Sequence, residues 1–130
     1  MNAASIFPIT YDDPGRNEWE RHQDMIQAVR ALYLVSSAAA QLGRSGLEVT
    51  ASQWHGLLEC TRRARAVIDQ ADVMDASGLC RTLRELVLVC EEILEQGAPG
   101  MCSPSLWRSA GRIGREAYEC AEGSITGAST

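Results

Sequence analysis

Between residues 79 and 94, apolar side chains recur three and four positions apart: Leu79, Leu83, Leu86, Val87, Cys90, Ile93 and Leu94. A strand would alternate its two faces, whereas this spacing gathers all seven on one side of a helix. A chain with such a segment must bury that side against other elements. Three further stretches carry the same period. Trp19, His22, Ile26, Val29 and Tyr33 form one stripe, with Met25, Ala28, Leu32 and Val35 beside it. Trp54, Leu57, Leu58, Ala64, Ile68 and Ala71 form another, and Leu106, Ala110, Ile113, Ala117 and Ala121 a fourth. Four amphipathic helices joined by short connections predict an all-α chain, folded as an antiparallel four-helix bundle.

Capping and breaking residues set the expected limits. Asn17 with Glu20 three residues on reads as a capping box opening the first helix, which runs to about Leu42 before Gly43 and Gly46. Thr50 or Ser52 caps the second helix, which continues to about residues 72–74. Ser77 caps the third, which ends near Gln96 before Gly97, Pro99 and Gly100. Ser103 followed by Pro104 is an N-cap with proline at the first helical position. Pro8 and Pro14 argue for an extended N-terminal arm over residues 1–16. The helical domain then spans 17–123, and 124–130 form a disordered tail.

Residues 31–35, ALYLV, and 86–90, LVLVC, are apolar all the way round a helix. A helix in a simple bundle buries a stripe of roughly 100°. The excess predicts a surface for a second copy or a partner, formed by Leu32, Tyr33, Val35, Leu86, Leu88 and Val89, with Ile6 and Phe7 of the arm. A homodimer is expected. Ala110, Gly114, Ala117 and Ala121 make a small-residue face that lets another backbone approach closely.

Composition narrows the chemistry. The net charge of −5 disfavours duplex DNA, whose binding rests on neutralised phosphates. All twelve basic residues are Arg, a bias that reads as a GC-rich bacterial genome. Five Cys with no CxxC pair argue against a disulfide or zinc framework and for small apolar side chains in a reducing cytoplasm. Cys102, in a predicted loop, is the candidate for a reactive thiol. A basic segment followed by an apolar run is missing at the start, so a signal peptide is not expected. With two His and no Glu-x-x-His, a metal or other cofactor is not expected either.

Three local motifs bear on function. The stretch RNEWERH, residues 16–22, resembles the Arg–His motif of HEPN-type ribonucleases, small helical dimers that cut RNA without metal. That resemblance implies Arg16, Asn17 and His22 as catalytic residues in a cleft across a dimer. Read from the residues alone, the stretch is a helix start, with His22 on an apolar stripe. WHG, residues 54–56, with YECAE, residues 118–122, resembles the secreted helical hairpins that carry Trp-x-Gly in their turn. Here the tripeptide falls just inside the second helix, so Trp54 is expected to anchor the bundle end. Arg62, Arg63 and Arg65, with Arg108, Arg112 and Arg115, form an anion or acidic-partner patch if the second and fourth helices are neighbours. As a solvated face they would instead pair locally, Glu59 with Arg63, Arg65 with Asp69, Arg112 with Glu116 and Arg115 with Glu119. With no convincing catalytic set, the expected function is non-enzymatic: a small cytoplasmic regulator of adaptor, inhibitor or anti-activator type. It would bind a protein partner stoichiometrically through an apolar helical face with Arg at its rim. The ribonuclease, and RNA or acidic-protein binding by the Arg patches, are the alternatives.

Overall fold

A computed structural model describes residues 14–71 and 77–126, with side chains described for 18–71 and 77–124. The chain is all-α: α1 (Pro14–Arg44), α2 (Ala51–Asp69), α3 (Gly78–Glu95) and α4 (Pro104–Thr126), with a 3-10 turn at Pro99–Met101 before α4. At 31 residues α1 is about 46 Å long, and the three shorter helices pack along it.

Local chemistry explains most boundaries. Thr50 accepts from the Gln53 backbone N–H, and the Gln53 side chain accepts from the Thr50 N–H, so α2 opens with a reciprocal capping box. Ser77 caps α3 by accepting from the Cys80 N–H, and Ser103 caps α4 by accepting from the Leu106 N–H. Gly46 and Gly97 follow α1 and α3 at φ 76° and 91°, a backbone that side chains with a Cβ avoid.

Three boundaries differ from expectation. α1 starts at Pro14, so residues 14–16 belong to the helix rather than to the arm, and Asn17 lies inside it rather than at its cap. The reason is that proline suits the first helical position, where its missing N–H would have no partner. Residues 1–13 lie outside the described residues. α2 stops at Asp69, short of 72–74. α4 runs through Gly123 to Thr126, so residues 124–126 belong to the helix rather than to the expected tail; 127–130 lie outside the described residues.

Contacts along the helices run in opposite senses. Tyr33 lies by Gly114 and Arg30 by Glu122, while Leu86 lies by Gly114 and Gly78 by Cys120. Both α1 and α3 are therefore antiparallel to α4. α2 packs on α1 and α3, α4 packs on α1 and α3, and α2 and α4 lie across the diagonal. The core holds Met25, Ile26, Val29, Leu32, Leu57, Leu83, Leu86, Val87 and Ile93. Trp107 closes one end, its indole over Gly43, and is the largest fully buried side chain. Ser36, Thr61 and Thr82 are buried hydroxyls that donate to carbonyls of their own helices, so none is an unpaired core polar group. Trp19, by contrast, is 64% exposed and leaves the α1 stripe it was expected to join.

Candidate functional site

The N-terminal half of α4 is a ridge between two grooves. On one side, α1 and α4 enclose about 770 Å³ lined by Arg44, Arg108, Arg112 and Arg115 with Ser37, Ser105, Ser109, Gln41 and Tyr33. Among the described residues no carboxylate lines it. Among the described residues Arg44, Arg108 and Arg115 form no ion pair, and Arg112 meets Glu116 only at 3.8 Å. Four guanidinium groups and the positive end of the α4 dipole thus share one furrow with little internal neutralisation. Tyr33 is held at its edge by stacking on Tyr118, ring centroids 4.6 Å apart. Gly114 makes room for that ring: a Cβ there would lie 3.3 Å from Tyr33.

On the other side, α3 and α4 enclose about 760 Å³. Val89, Leu106 and Ile113 form an apolar floor, and Leu88 and Met101 stand over it, 58% and 70% exposed. Glu85 and Glu92 flank this groove on the α3 edge and Arg112 on the α4 edge. The two grooves share Ser105, Ser109 and Arg112, so they form one continuous surface across α4.

This arrangement revises the expected interface. Leu32 and Leu86 are fully buried by the chain's own helices and present no surface to a partner. The run LVLVC is apolar all round because α3 contacts α1, α2 and α4, which consumes most of its circumference. Val35 is half-buried beside Gly56, Tyr33 belongs to the aromatic stack, and Val89 is groove floor. Among the described members of the expected set, Leu88 is the one that is exposed, while Tyr33 and Val35 are half-buried. Ile6 and Phe7 lie outside the described residues. Leu34, 70% exposed on the opposite side of α1 from Leu32, is the large outward residue of ALYLV, with Ala31 exposed as well.

The two Arg groups do not meet, because their helices are diagonal. On α2, Arg65 is committed to the bundle: its Nη2 and Nε donate to Glu91 of α3 at 2.6 and 2.9 Å. Those bonds hold the Glu91 carboxyl below its ordinary range, against the opposing effect of burial. Arg65 also meets Asp69 at 3.7 Å, as expected, while Glu59 pairs with Arg62 instead of Arg63. The α4 group instead finds Arg44, which carried no sequence signal. Arg44 ends α1 and is brought to Arg108 only by antiparallel packing.

For the ribonuclease motif, Arg16 and Asn17 stand within the first turn of α1 instead of ahead of it, and His22 is half-buried a turn and a half later. The side chains of Arg16 and Asn17 lie outside the described residues. Cys102 donates to the Ile93 and Ala98 carbonyls at 3.5 and 3.7 Å, and burial raises its pKa, the reverse of what a reactive thiol requires. Cys90 is pushed up to about 12, chiefly by burial. Among the described residues no cluster of His, Cys, Asp and Glu is arranged to hold a metal, and no helix is long and apolar enough to cross a membrane. The chain matches no protein-family model, no curated protein and no solved structure.

Proposed function

We propose that this chain is a small non-enzymatic regulatory protein of the cytoplasm, acting by stoichiometric protein binding as an adaptor, inhibitor or anti-activator does. The observation that carries this reading is the surface across α4. An apolar trough with two exposed anchors, Leu88 and Met101, adjoins an Arg-lined furrow through the shared Arg112. Apolar area supplies affinity, and guanidinium groups at the rim supply orientation and selectivity. The chemistry that fits is an amphipathic helix of a protein, apolar on one face and acidic along one flank. Its apolar face would fill the α3/α4 trough while its carboxylates reach Arg108, Arg112 and Arg44. A homodimer formed through Leu88 and Val89, the two residues of the expected interface that line the trough, would compete with a partner for it.

The test is capture of partner protein from native lysate by the tagged chain. Leu88→Glu places a charge in the trough without touching the core. It is expected to abolish stoichiometric capture while the helical circular dichroism stays unchanged. Unaltered capture by Leu88→Glu would exclude this face. A co-eluting species that is RNA, released steeply by salt, would favour the nucleic-acid reading instead.

A further inference from the structure

The α3/α4 trough has an asymmetry that selects one orientation for a second copy. Carboxylates, Glu85 and Glu92, line its α3 wall beside Leu88, and a guanidinium, Arg112, its α4 wall, with Val89 and Ile113 between them. Register follows from Gly114 lying level with Leu86 in antiparallel helices. Arg112, two residues earlier on α4, is therefore level with Leu88 on α3. Glu85 and Glu92 lie about 4.5 Å and 6 Å along the helix to either side of that level.

Of the twofold arrangements that lay this face on itself, two keep the helices of both copies aligned. A dyad running across the helices at the level of Leu88 puts α3 on α3 and α4 on α4 with heights inverted, so Glu85 of one copy comes opposite Glu92 of the other. A dyad parallel to the helices keeps every residue at its height and exchanges the two edges. Each Arg112 then faces the gap between Glu85 and Glu92 of the other copy, twice per dimer. The groups are free to do this. Glu85 meets Arg81 only at 3.9 Å and Arg112 meets Glu116 only at 3.8 Å, both on exposed helix surface.

Resting on the reading of the trough as a protein-binding site, we infer that its resident occupant is a second copy. The copy is related by a twofold axis parallel to the bundle, with Arg112 set between Glu85 and Glu92 of its neighbour and Leu88 buried between the copies. An isologous interface needs such self-complementarity, and charge order gives it to this dyad and denies it to the other. Dimerisation then gates the protein: the trough opens to a partner only as the dimer dissociates.

Sedimentation equilibrium of the purified full chain tests this without any partner. The wild type is expected to be a dimer in reversible equilibrium. Arg112→Glu, and separately the double change Glu85→Arg with Glu92→Arg, are each expected to weaken it by about tenfold or more through like-charge contacts. Mixed in equal amounts, the two variants carry opposite charges at both contacts, so dimer is expected to return as the heterodimer. A monomeric wild type, charge variants that dimerise as well as wild type, or a mixture that stays monomeric would each overturn the arrangement. Circular dichroism of every variant checks folding, since all three positions lie outside the core. Partner capture that survives in a monomeric protein would leave the proposed function standing while this dimer falls. Loss of capture in Leu88→Glu tests the other claim separately.

Discussion

At the scale of single residues, two glycines in helices have opposite roles. A Cβ on Gly43 would sit inside the van der Waals envelope of the Trp107 indole, a rigid ring with nowhere to go at 1% exposure. Gly43→Ala adds about 1 kcal/mol of helix propensity but forces overpacking of about 1–3 kcal/mol, so a net loss is expected. Nothing lies within 4 Å of the corresponding point on Gly111. Gly111→Ala is therefore expected to stabilise by up to about 1 kcal/mol. Paired urea denaturation curves would check both; equal shifts of the same sign would contradict the packing at Gly43. The cysteines offer a second residue-scale prediction. Cys90 is fully buried with its thiol pushed up to about 12, so it should resist alkylation at pH 8 in the native state and react after unfolding. Mass spectrometry after a timed iodoacetamide pulse reports this directly.

At the scale of elements, α2 and α3 are joined by the Arg65–Glu91 fork, a contact between helices whose chain connection passes through residues outside those described. Both side chains are about a third exposed, 36% and 33%, so solvent screening holds its worth near 1 kcal/mol. Glu91 has a depressed folded-state pKa, so its stabilisation is fully present above the unfolded carboxyl value, about 4.3. It is lost as pH falls through the folded value. The stability gap between wild type and Glu91→Gln should therefore be present at pH 7 and close below pH 4. Denaturation midpoints at several pH values measure it; a gap that widened in acid would reverse the assignment. The Thr50 capping box is the other element-scale device, and Thr50→Ala should cost about 1 kcal/mol. Helix existence and most caps were legible in the sequence because periodicity and capping are local. Trp107 is absent from the stripe expected for α4, although Trp107, Ala110, Gly114, Ala117 and Ala121 are spaced three and four apart. The expected stripe through Leu106 and Ile113 lies half a face over, on the floor of the trough.

At the scale of the whole molecule, the proposed site depends on which helices are neighbours. Diagonal α2 and α4 split the six arginines of the expected patch, and antiparallel α1 and α4 join three of them, Arg108, Arg112 and Arg115, to Arg44. The same pairing turned most of the expected apolar interface inward and left Leu88 with Met101 at the surface. Any partner that uses both grooves must contact three helices at once, so its binding should respond to Leu88→Glu and to Arg108→Glu alike. Titration calorimetry with the captured partner would check this. A partner sensitive to one groove alone would confine the site to that groove.

The sequence by itself determined that four amphipathic helices form, roughly where they begin and end, and that a surplus of apolar surface exists on α1 and α3. Those are consequences of spacing along the chain, and the backbone obeys them residue by residue. Only the tertiary structure decided which apolar residues are surplus and which arginines share a groove. A helix stripe specifies that a face is buried but not against which neighbour. Leu86 and Leu88 differ by two residues, about 200° around α3, and only the packed neighbours make one core and the other surface.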